Sequence, residues 1–313
     1  MPGMTTGYQQ FLLSQAVNSA SLRFSLLACL LAFAMGSALA EAEPAAATAL
    51  RGQHTRLSVQ LQKNPFERPL VLNSVETDQG LQGDIYAVVA YPFASVSTGL
   101  KNPDNWCKVM ILHINTKYCH ASPGPTGTAL RVYIGKKTPQ TLADATRMDF
   151  KYQETVWTPA YFATTLKAKD GPLGTRDYLI QMEVVALPNN KSFLHLTYAY
   201  NVGFAGRLAM QAYLATAGAD KVGFTLVDSG DNTNTPDFVA GVLGVVERNT
   251  MRYYLAIDSF LAAQSESPSA QLEKRLQTWF TAVEQYPRQL HEVDRPAYLE
   301  MKRAEVTRQQ ALP

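Results

Sequence analysis

The side chains in this sequence that could carry acid–base or metal chemistry are few and scattered. The chain has five histidines and three cysteines in 313 residues. The histidines are His54, His113, His120, His195 and His291. None has the spacing of an HExxH motif and the cysteines form no CxxC pair, so the sequence predicts no metal ion and no other cofactor. There is no G-x-S-x-G nucleophile elbow, although a Ser-His-Asp set could still assemble from distant positions.

The aromatic side chains are more informative than the ionisable ones. The chain has 15 tyrosines, and a tyrosine combines a large apolar area with one polar tip. Several lie on predicted core elements, where they would either line a pocket for an amphipathic ligand or pack the core. The candidate ligand-binding residues are Trp106, Tyr133, Tyr178, Met182, Tyr198, Val242, Val246, Asn249, Tyr253 and Ile257.

One long helix, predicted over residues 236–263, positions the last five of these candidates. Thr235 can cap its first backbone N–H groups, Pro236 suits the first helical position and Asp237 favours the positive end of the helix dipole. Its apolar residues recur with a period of 3.6, which predicts one face packed against a large apolar surface. At ~1.5 Å per residue it would extend roughly 42 Å.

Two polar residues of this helix have alternative interpretations. Asn249 interrupts the apolar stripe, so its amide either bonds to the sheet or faces a cavity that holds water or a polar group of a ligand, because an unpaired buried amide costs ~1–3 kcal/mol. Arg252 either extends into solvent or lies along the helix and pairs with an acidic head group. Together with Glu247, Arg248 and Asp258, it gives the helix a polar edge.

The segments around this helix predict an antiparallel sheet of about eight or nine strands. Residue alternation with a period of two begins near Arg68, and turn residues separate the strands. Strands are predicted at 69–78, 81–91, 114–121, 128–136, 148–158, 161–169, 175–187, 191–202 and 221–228. Helices are predicted as a broken pair over 92–110 and at 205–215, 268–285 and 295–310.

The N-terminal segment of the chain predicts export. An apolar run from Phe24 to Met35 precedes Ala38-Leu39-Ala40, which is typical of a signal peptide cleaved after Ala40, with an uncleaved anchor as the alternative. The mature protein would then be periplasmic or secreted.

Cys107 and Cys119 would form a disulfide if the chain turned back between them, or remain two buried thiols. Residues 41–67 predict a tether or short helix, and 266–313 a helical extension.

The overall charge argues against one class of partner. The net charge is +2, and its lysines and arginines are dispersed rather than clustered, so nucleic-acid binding is not expected.

The order of elements resembles that of the START-like (SRPBCC) superfamily, which includes polyketide cyclase-like and Bet v 1-like proteins. The resemblance is carried by GDIYAVVAYPFASVSTGLKNPDNW at 83–106, by SFLHLTYAYNVGF at 192–204 with its adjoining short helix, and by the long helix. It covers roughly residues 68–263 and assigns 68–265 to a ligand-binding domain. It implies an α+β helix-grip fold, in which a curved antiparallel sheet wraps around a long C-terminal helix.

The sequence leaves three functional hypotheses, the first two of which follow from the resemblance. Members of this superfamily typically hold a lipid or another hydrophobic molecule between the sheet and the long helix, and for this chain the hypothesis includes transient membrane contact. A minority are enzymes of the cyclase or aromatase kind that use the same cavity. A third hypothesis is a periplasmic scaffold whose C-terminal helices bind a protein partner that the sequence does not identify.

Overall fold

The computed structural model describes residues 44–78, 80–124, 127–216, 218–227 and 237–312, all within one compact unit that spans 44–313. The strands are β1 (Leu70–Glu76), β2 (Gly80–Val89), β3 (Thr116–Gly124), β4 (Gly127–Ile134), β5 (Thr146–Trp157), β6 (Tyr161–Asp170), β7 (Thr175–Leu187) and β8 (Lys191–Val202). The helices are α1 (Ala45–Arg56), α2 (Ser58–Gln62), α3 (Phe93–Lys101), α4 (Pro103–Met110), α5 (Phe204–Leu214), α6 (Gly241–Ala262), α7 (Gln271–Val283), α8 (Pro287–Leu290) and α9 (Arg295–Ala311). The predicted leader at 1–40 lies outside the described residues.

All eight strands belong to one antiparallel sheet with the order β1-β2-β8-β7-β6-β5-β4-β3. Consecutive strands are neighbours except where β2 pairs with β8, because α3 and α4 intervene between β2 and β3. Bulges in β3, β5 and β7 bend the strands and increase their twist. The predicted fold class is therefore confirmed.

The strand predicted at 221–228 is wrong. The extended segment that pairs with it lies just before α6, which explains why the long helix begins later than predicted. Within the described residues this segment forms only an isolated bridge, between Leu226 and Phe238. The backbone N–H of Val239 donates to Thr225 O at 2.8 Å, which keeps the chain extended before α6. Gly241, with φ of +63°, then turns the chain into a helix of 22 residues. Thr235 and Pro236 lie outside the described residues.

The inner face of the sheet and α6 form the main core. Ile85 and Met182 of the strands and Val246 and Ile257 of α6 are each fully buried in it. On its other side α6 is covered by α7, whose Trp279 donates to the backbone carbonyl of Arg252. The long helix is thus enclosed on two sides, and its polar edge is covered as well.

Part of the outer face of the sheet is covered by α1 and α2, so of the two alternatives for residues 41–67, a tether or a short helix, the structure shows helix. Ala47, Leu50, Leu57 and Leu61 are buried against a cluster that includes Phe193. Their spacing places them on one side of the two helices, but alanines among exposed positions obscure the pattern in the sequence. None of the helices in the described residues is long and apolar enough to cross a membrane.

Cys107 and Cys119 form a disulfide, with 5.1 Å between their Cα atoms. The helix α4 continues to Met110, and the chain then turns back into β3, which brings the two cysteines together. The disulfide alternative is confirmed. It ties α4 to the start of an edge strand.

The C-terminal helix α9 is held to the same edge by a buried ion cluster. The carboxylate of Glu305 lies 3.0 Å from the ammonium of Lys117 and 2.8 Å from that of Lys302, and all three residues are at most 1% exposed. Lys302 also donates to the backbone carbonyls of His113 and Thr116. Burial lowers the pKa of Lys302 to about 8, an effect opposed by Glu305. The C-terminal helix is therefore part of this fold rather than a loosely attached extension.

Replacing Glu305 by alanine should destabilise the protein strongly, because it leaves two buried ammonium groups without a counterion. We expect the free energy of unfolding to fall by about 3–5 kcal/mol, measured by urea unfolding. Glu300→Ala is the matched control, since Glu300 is exposed on the same helix and should change stability by less than about 0.5 kcal/mol. Equal effects of the two substitutions would contradict the account of the cluster.

Candidate functional site

A partly enclosed cavity of about 240 Å³ lies between α6, α5 and the adjoining ends of β7 and β8. Its walls combine apolar, phenolic and cationic side chains. The lining residues are Asn115, Lys137, Pro172, Leu173, Thr175, Tyr178, Tyr198, Tyr200, Gly206, Ala209, Met210, Tyr213, Val245, Arg248, Asn249 and Arg252. The site is therefore amphipathic, with room for about eight water molecules at ~30 Å³ each.

The sheet wall of the cavity is aromatic. The rings of Tyr178 and Tyr200 are stacked with centroids 5.1 Å apart, and Tyr198 lies 5.6 Å from Tyr200. The bulge in β7 sets this arrangement, because Asp177, at φ +54°, and Tyr178 fall within its register shift. Thr175 Oγ1 lies 2.7 Å from the Tyr178 hydroxyl, which fixes the ring.

A glycine before the bulge makes room for this wall. A Cβ atom on Gly171 would lie 2.2 Å from the Tyr178 ring. Burial raises the pKa of Tyr178 to about 12, so the phenol is neutral at pH 7 and available as a hydrogen-bond donor. Burial likewise raises the pKa values of Tyr198 and Tyr200.

The cover of the cavity is α5 together with the 3₁₀ turn Pro172–Gly174. Ala209 and Met210 of α5 face the cavity, and Gly206 packs close to the turn. The outer side of this cover is apolar and exposed, with Phe204 87% and Leu173 71% accessible. The cover is thus a thin layer over the cavity rather than a second core.

The helix wall of the cavity is cationic. Arg248 and Arg252 of α6 are 2% and 3% exposed, so the interpretation of Arg252 as a solvent-exposed side chain is wrong. Arg252 pairs with Glu292 at 2.7 Å. Lys137 and Lys221 lie 2.7 Å and 3.6 Å from the same carboxylate.

The two arginines of this wall differ in how completely they are hydrogen-bonded. Arg248 Nη1 donates to the backbone carbonyl of Val222 at 3.1 Å. The buried Nε of Arg252 has no hydrogen-bond partner among the described residues. Burial lowers the pKa of Arg252, and Arg248 one turn away lowers it further, whereas Glu292 raises it. The helix wall therefore concentrates positive charge in a place shielded from water.

The structure brings three of the ten predicted ligand-binding residues to this cavity. They are Tyr178, Tyr198 and Asn249. Asn249 lies on the cavity wall, with its Oδ1 accepting a long 3.5 Å hydrogen bond from Arg252. Val242 instead lines a neighbouring hollow of about 160 Å³.

The other six predicted residues lie outside the cavity. Trp106, Met182, Val246, Tyr253 and Ile257 are buried in the core. The indole of Trp106 donates to Leu100 O at 2.8 Å, which explains its burial by packing and a backbone contact. Tyr133 is half-buried beside Tyr118. Tyr253 stays close to the cavity, because its ring lies 5.2 Å from that of Tyr198.

The sequence indicated Arg252 only as one of two alternatives and did not predict Arg248, Lys137 or the cover as parts of the site. Arg248 and Arg252 are four residues apart and flank Asn249, so all three share a helix face, and that spacing was the available signal. Lys137 and Asn115 come from loops distant in sequence, and no local pattern places them here. No group of histidine, cysteine, aspartate or glutamate side chains that could hold a metal ion occurs in the described part of the chain.

A second cluster of ionisable groups lies on the outer face of the sheet. His195 Nε2 is 2.8 Å from Asp84 Oδ1, and its Nδ1 is 3.1 Å from Glu183 Oε2. The imidazole stacks on Tyr86 with 4.2 Å between centroids. The hydroxyl of Thr197 lies 3.2 Å from Nε2 but donates to Asp84 at 2.6 Å. The cluster is therefore an internally paired charge network and not an activated nucleophile.

The pKa shifts of this network predict a stability window in pH. Burial alone would lower the pKa of His195, but its two carboxylate partners outweigh burial and raise it above 6.5, so its contribution is lost as the pH rises past that value. His195 lowers the pKa of Glu183 below 4.5 and, against the effect of burial, that of Asp84 below 3.8, so their contributions are lost at lower pH. The network should stabilise most between about pH 4.5 and 6.5.

Replacing His195 by glutamine should therefore have a pH-dependent effect. We expect the loss in free energy of unfolding to be largest between about pH 4.5 and 6.5, on the order of 1–3 kcal/mol, and to shrink towards pH 9. Urea unfolding across pH measures it. His54→Gln is the control, since burial lowers the pKa of His54 and the opposite trend is expected. A loss that does not vary with pH would contradict the ionic account.

Comparison with known proteins gives low similarity. No protein-family model and no curated protein matches this sequence, whereas 39 chains of known structure do. One is human StAR-related lipid transfer protein 5, 8% identical with a TM-score of 0.31 over 55% of this chain and 91% of that chain. A conserved Geobacillus kaustophilus protein is 11% identical with a TM-score of 0.33, covering 59% and 95%. An Enterococcus faecalis protein of unknown function is 8% identical with a TM-score of 0.30, covering 82% and 98%.

At such low TM-scores, the fold is assigned from the chain itself. Its sheet has the order β1-β2-β8-β7-β6-β5-β4-β3 and packs on a long helix that follows it in sequence. This is the helix-grip architecture that the resemblance to the START-like superfamily implied.

Proposed function

We propose that this protein binds a small amphipathic ligand in the cavity between α5, α6 and the ends of β7 and β8. The observation that carries the proposal is the composition of its walls. Stacked tyrosines and aliphatic side chains offer apolar area, and the arginines and asparagine of α6 offer a few fixed polar groups. Such a combination is typical of small-molecule sites, where apolar contact supplies affinity and polar groups fix orientation.

The cavity volume limits the size of the ligand. At about 240 Å³ it is smaller than the ~300–1,000 Å³ typical of sites for drug-sized ligands. A compact ring system or a short chain fits this volume, whereas a two-chain lipid requires more space. We therefore propose a small hydrophobic or amphipathic molecule rather than a membrane phospholipid.

Binding accounts for the lining better than the cyclase-type enzyme does. The pKa of Tyr178 is about 12 and those of Tyr198 and Tyr200 are also raised, so these phenols stay protonated at neutral pH. A protonated phenol donates a hydrogen bond but does not abstract a proton. The arginines are likewise donors only. The ionisable groups of the cavity are therefore suited to holding a ligand.

Export is also part of this proposal. The leader motivates it, and the disulfide between Cys107 and Cys119 supports it, because disulfides persist in oxidising compartments. We expect the intact mass of the mature protein from a secretion-competent host to correspond to a chain that begins at Glu41. A protein that retains residues 1–40 would contradict the predicted cleavage.

Filling the cavity should weaken ligand binding. Ala209 of α5 lines the cavity, so Ala209→Phe should weaken binding of the neutral fluorescent probe N-phenyl-1-naphthylamine by about tenfold or more, a loss of ~1.4 kcal/mol. Ala212→Phe is the matched control: the same substitution, one turn along the same helix, at an exposed position outside the cavity. Fluorescence titration measures both.

The outcomes of this titration separate the cavity from the surface. Reduced binding by Ala209→Phe alone, with the thermal unfolding of both variants unchanged, supports the proposal. Equal binding by the two variants would show that the probe binds elsewhere and would contradict it.

A further inference from the structure

We infer that the ligand of this cavity carries an anionic head group of the carboxylate class, held by Arg248 and Arg252 of the helix wall. The inference rests on the proposed function, because it assigns a chemical class to the occupant of the same cavity. It goes further by naming the charge of the ligand and the side chains that recognise it.

The helix wall carries more positive than negative charge. Glu292 is the carboxylate that Arg252, Lys137 and Lys221 all contact, at 2.7, 2.7 and 3.6 Å. Arg248 lies one helical turn from Arg252, and the two like charges at this spacing repel each other. Three cations therefore share one carboxylate, and Arg248 beside them forms no ion pair among the described residues, so a bound anion would supply the missing negative charge.

The nearby Glu247 is a second buried carboxylate, and the four cations still outnumber the two carboxylates. Its carboxylate accepts hydrogen bonds from the hydroxyls of Ser74 and Thr225, at 2.7 and 2.6 Å, and from the backbone N–H of Thr225 at 3.0 Å. It is fully buried and does not line the cavity. These hydrogen bonds to its carboxylate hold the segment before α6.

The guanidinium of Arg252 is incompletely hydrogen-bonded. The side chain is 3% exposed and lines the cavity, and the hydrogen bond of its Nη1 among the described residues is the long 3.5 Å one to Asn249 Oδ1, which is also on the cavity wall. Leaving a buried polar group unpaired costs ~1–3 kcal/mol, and more when the group is charged. A carboxylate matches this need, because a guanidinium binds it through paired N–H donors in one plane.

The opposite wall defines the rest of the ligand. Tyr178 and Tyr200 stack on the sheet with Tyr198 tilted against both rings, and Ala209 and Met210 line the cover. Aromatic rings favour offset stacking on other rings. The cavity therefore suits a flat apolar body whose carboxylate points to α6. A bicyclic aromatic acid such as 2-naphthoate is a compact member of this class.

The test compares two probes that differ in head-group charge. The full chain is titrated at pH 7 with 2-naphthoate and with 2-naphthamide, by calorimetry. We expect 2-naphthoate to bind at least about tenfold more tightly. Arg248→Met and Arg252→Met should each weaken 2-naphthoate by about tenfold or more and change 2-naphthamide by less than about twofold.

A matched control removes the same charge from outside the cavity. Arg147 pairs with Asp149 at 2.8 Å on the surface and does not line the cavity, so Arg147→Met should leave the affinity of both probes within about twofold. Should Arg252→Met fail to fold, Arg248→Met decides alone, since the guanidinium of Arg248 bonds the backbone carbonyl of Val222 and not the shared carboxylate.

The outcomes distinguish recognition of the anionic head group from binding in the cavity as such. Selective loss of 2-naphthoate binding in the arginine variants supports the inference. Equal affinities for the acid and the amide would overturn the inference and leave the proposed function standing. The same conclusion would follow if neither bound while N-phenyl-1-naphthylamine still bound and was blocked by Ala209→Phe. Failure of all three probes to bind would overturn both.

Discussion

The burial of charged side chains on α6 is the constraint on which the rest of the structure depends. Glu247, Arg248 and Arg252 follow one another along this helix and are all at most 3% exposed. A buried charge is tolerated only when it is paired or hydrogen-bonded. Each of these residues therefore requires a specific partner from another part of the chain.

Those partners explain why the chain continues beyond its sheet. Glu247 holds the extended segment at 224–225, and Arg248 holds the carbonyl of Val222. Arg252 requires Glu292, which follows α8 and is kept in position by α9 through Glu305 and its two lysines. The C-terminal helices therefore complete the pairing of the long helix, and the same lysine cluster fixes the turn that carries Asn115 to the cavity.

The cavity exists because this pairing places cations beside a tyrosine-rich sheet wall without filling the space between them. The bulge in β7 aligns Tyr178 with Tyr200, and Gly171 leaves room for the ring. The cover formed by α5 then encloses the space from one side only. A core in which α6 lay directly on the sheet along its whole length would have buried the same aromatic residues but left no volume for a ligand.

The sequence predicted the fold better than the site, for a physical reason. The alternation through Ile180, Met182 and Val184 shows directly which face of β7 is buried, because side-chain direction in a strand has a period of two. The burial of Arg252 could not be predicted in this way, because its partner Glu292 lies 40 residues away and only the tertiary fold brings them together.

The same reason explains the errors at the ends of elements. The late start of α6 depends on pairing between Val239 and Thr225. The packing of α1 depends on a sheet face that forms from distant strands. Tyr178, Tyr198 and Asn249 were found because a local pattern placed them on inward faces, whereas the cover and the loop residues of the cavity have no such pattern.

The most direct test of the central claim is a crystal structure of the protein soaked with 2-naphthoate at pH 7. The account predicts electron density for one molecule between α5, α6 and the ends of β7 and β8, with its carboxylate within about 3 Å of the guanidinium of Arg252 or Arg248 and its rings against the tyrosine wall. Density for the ligand at another site, with only ordered water between α6 and the tyrosines, would contradict it.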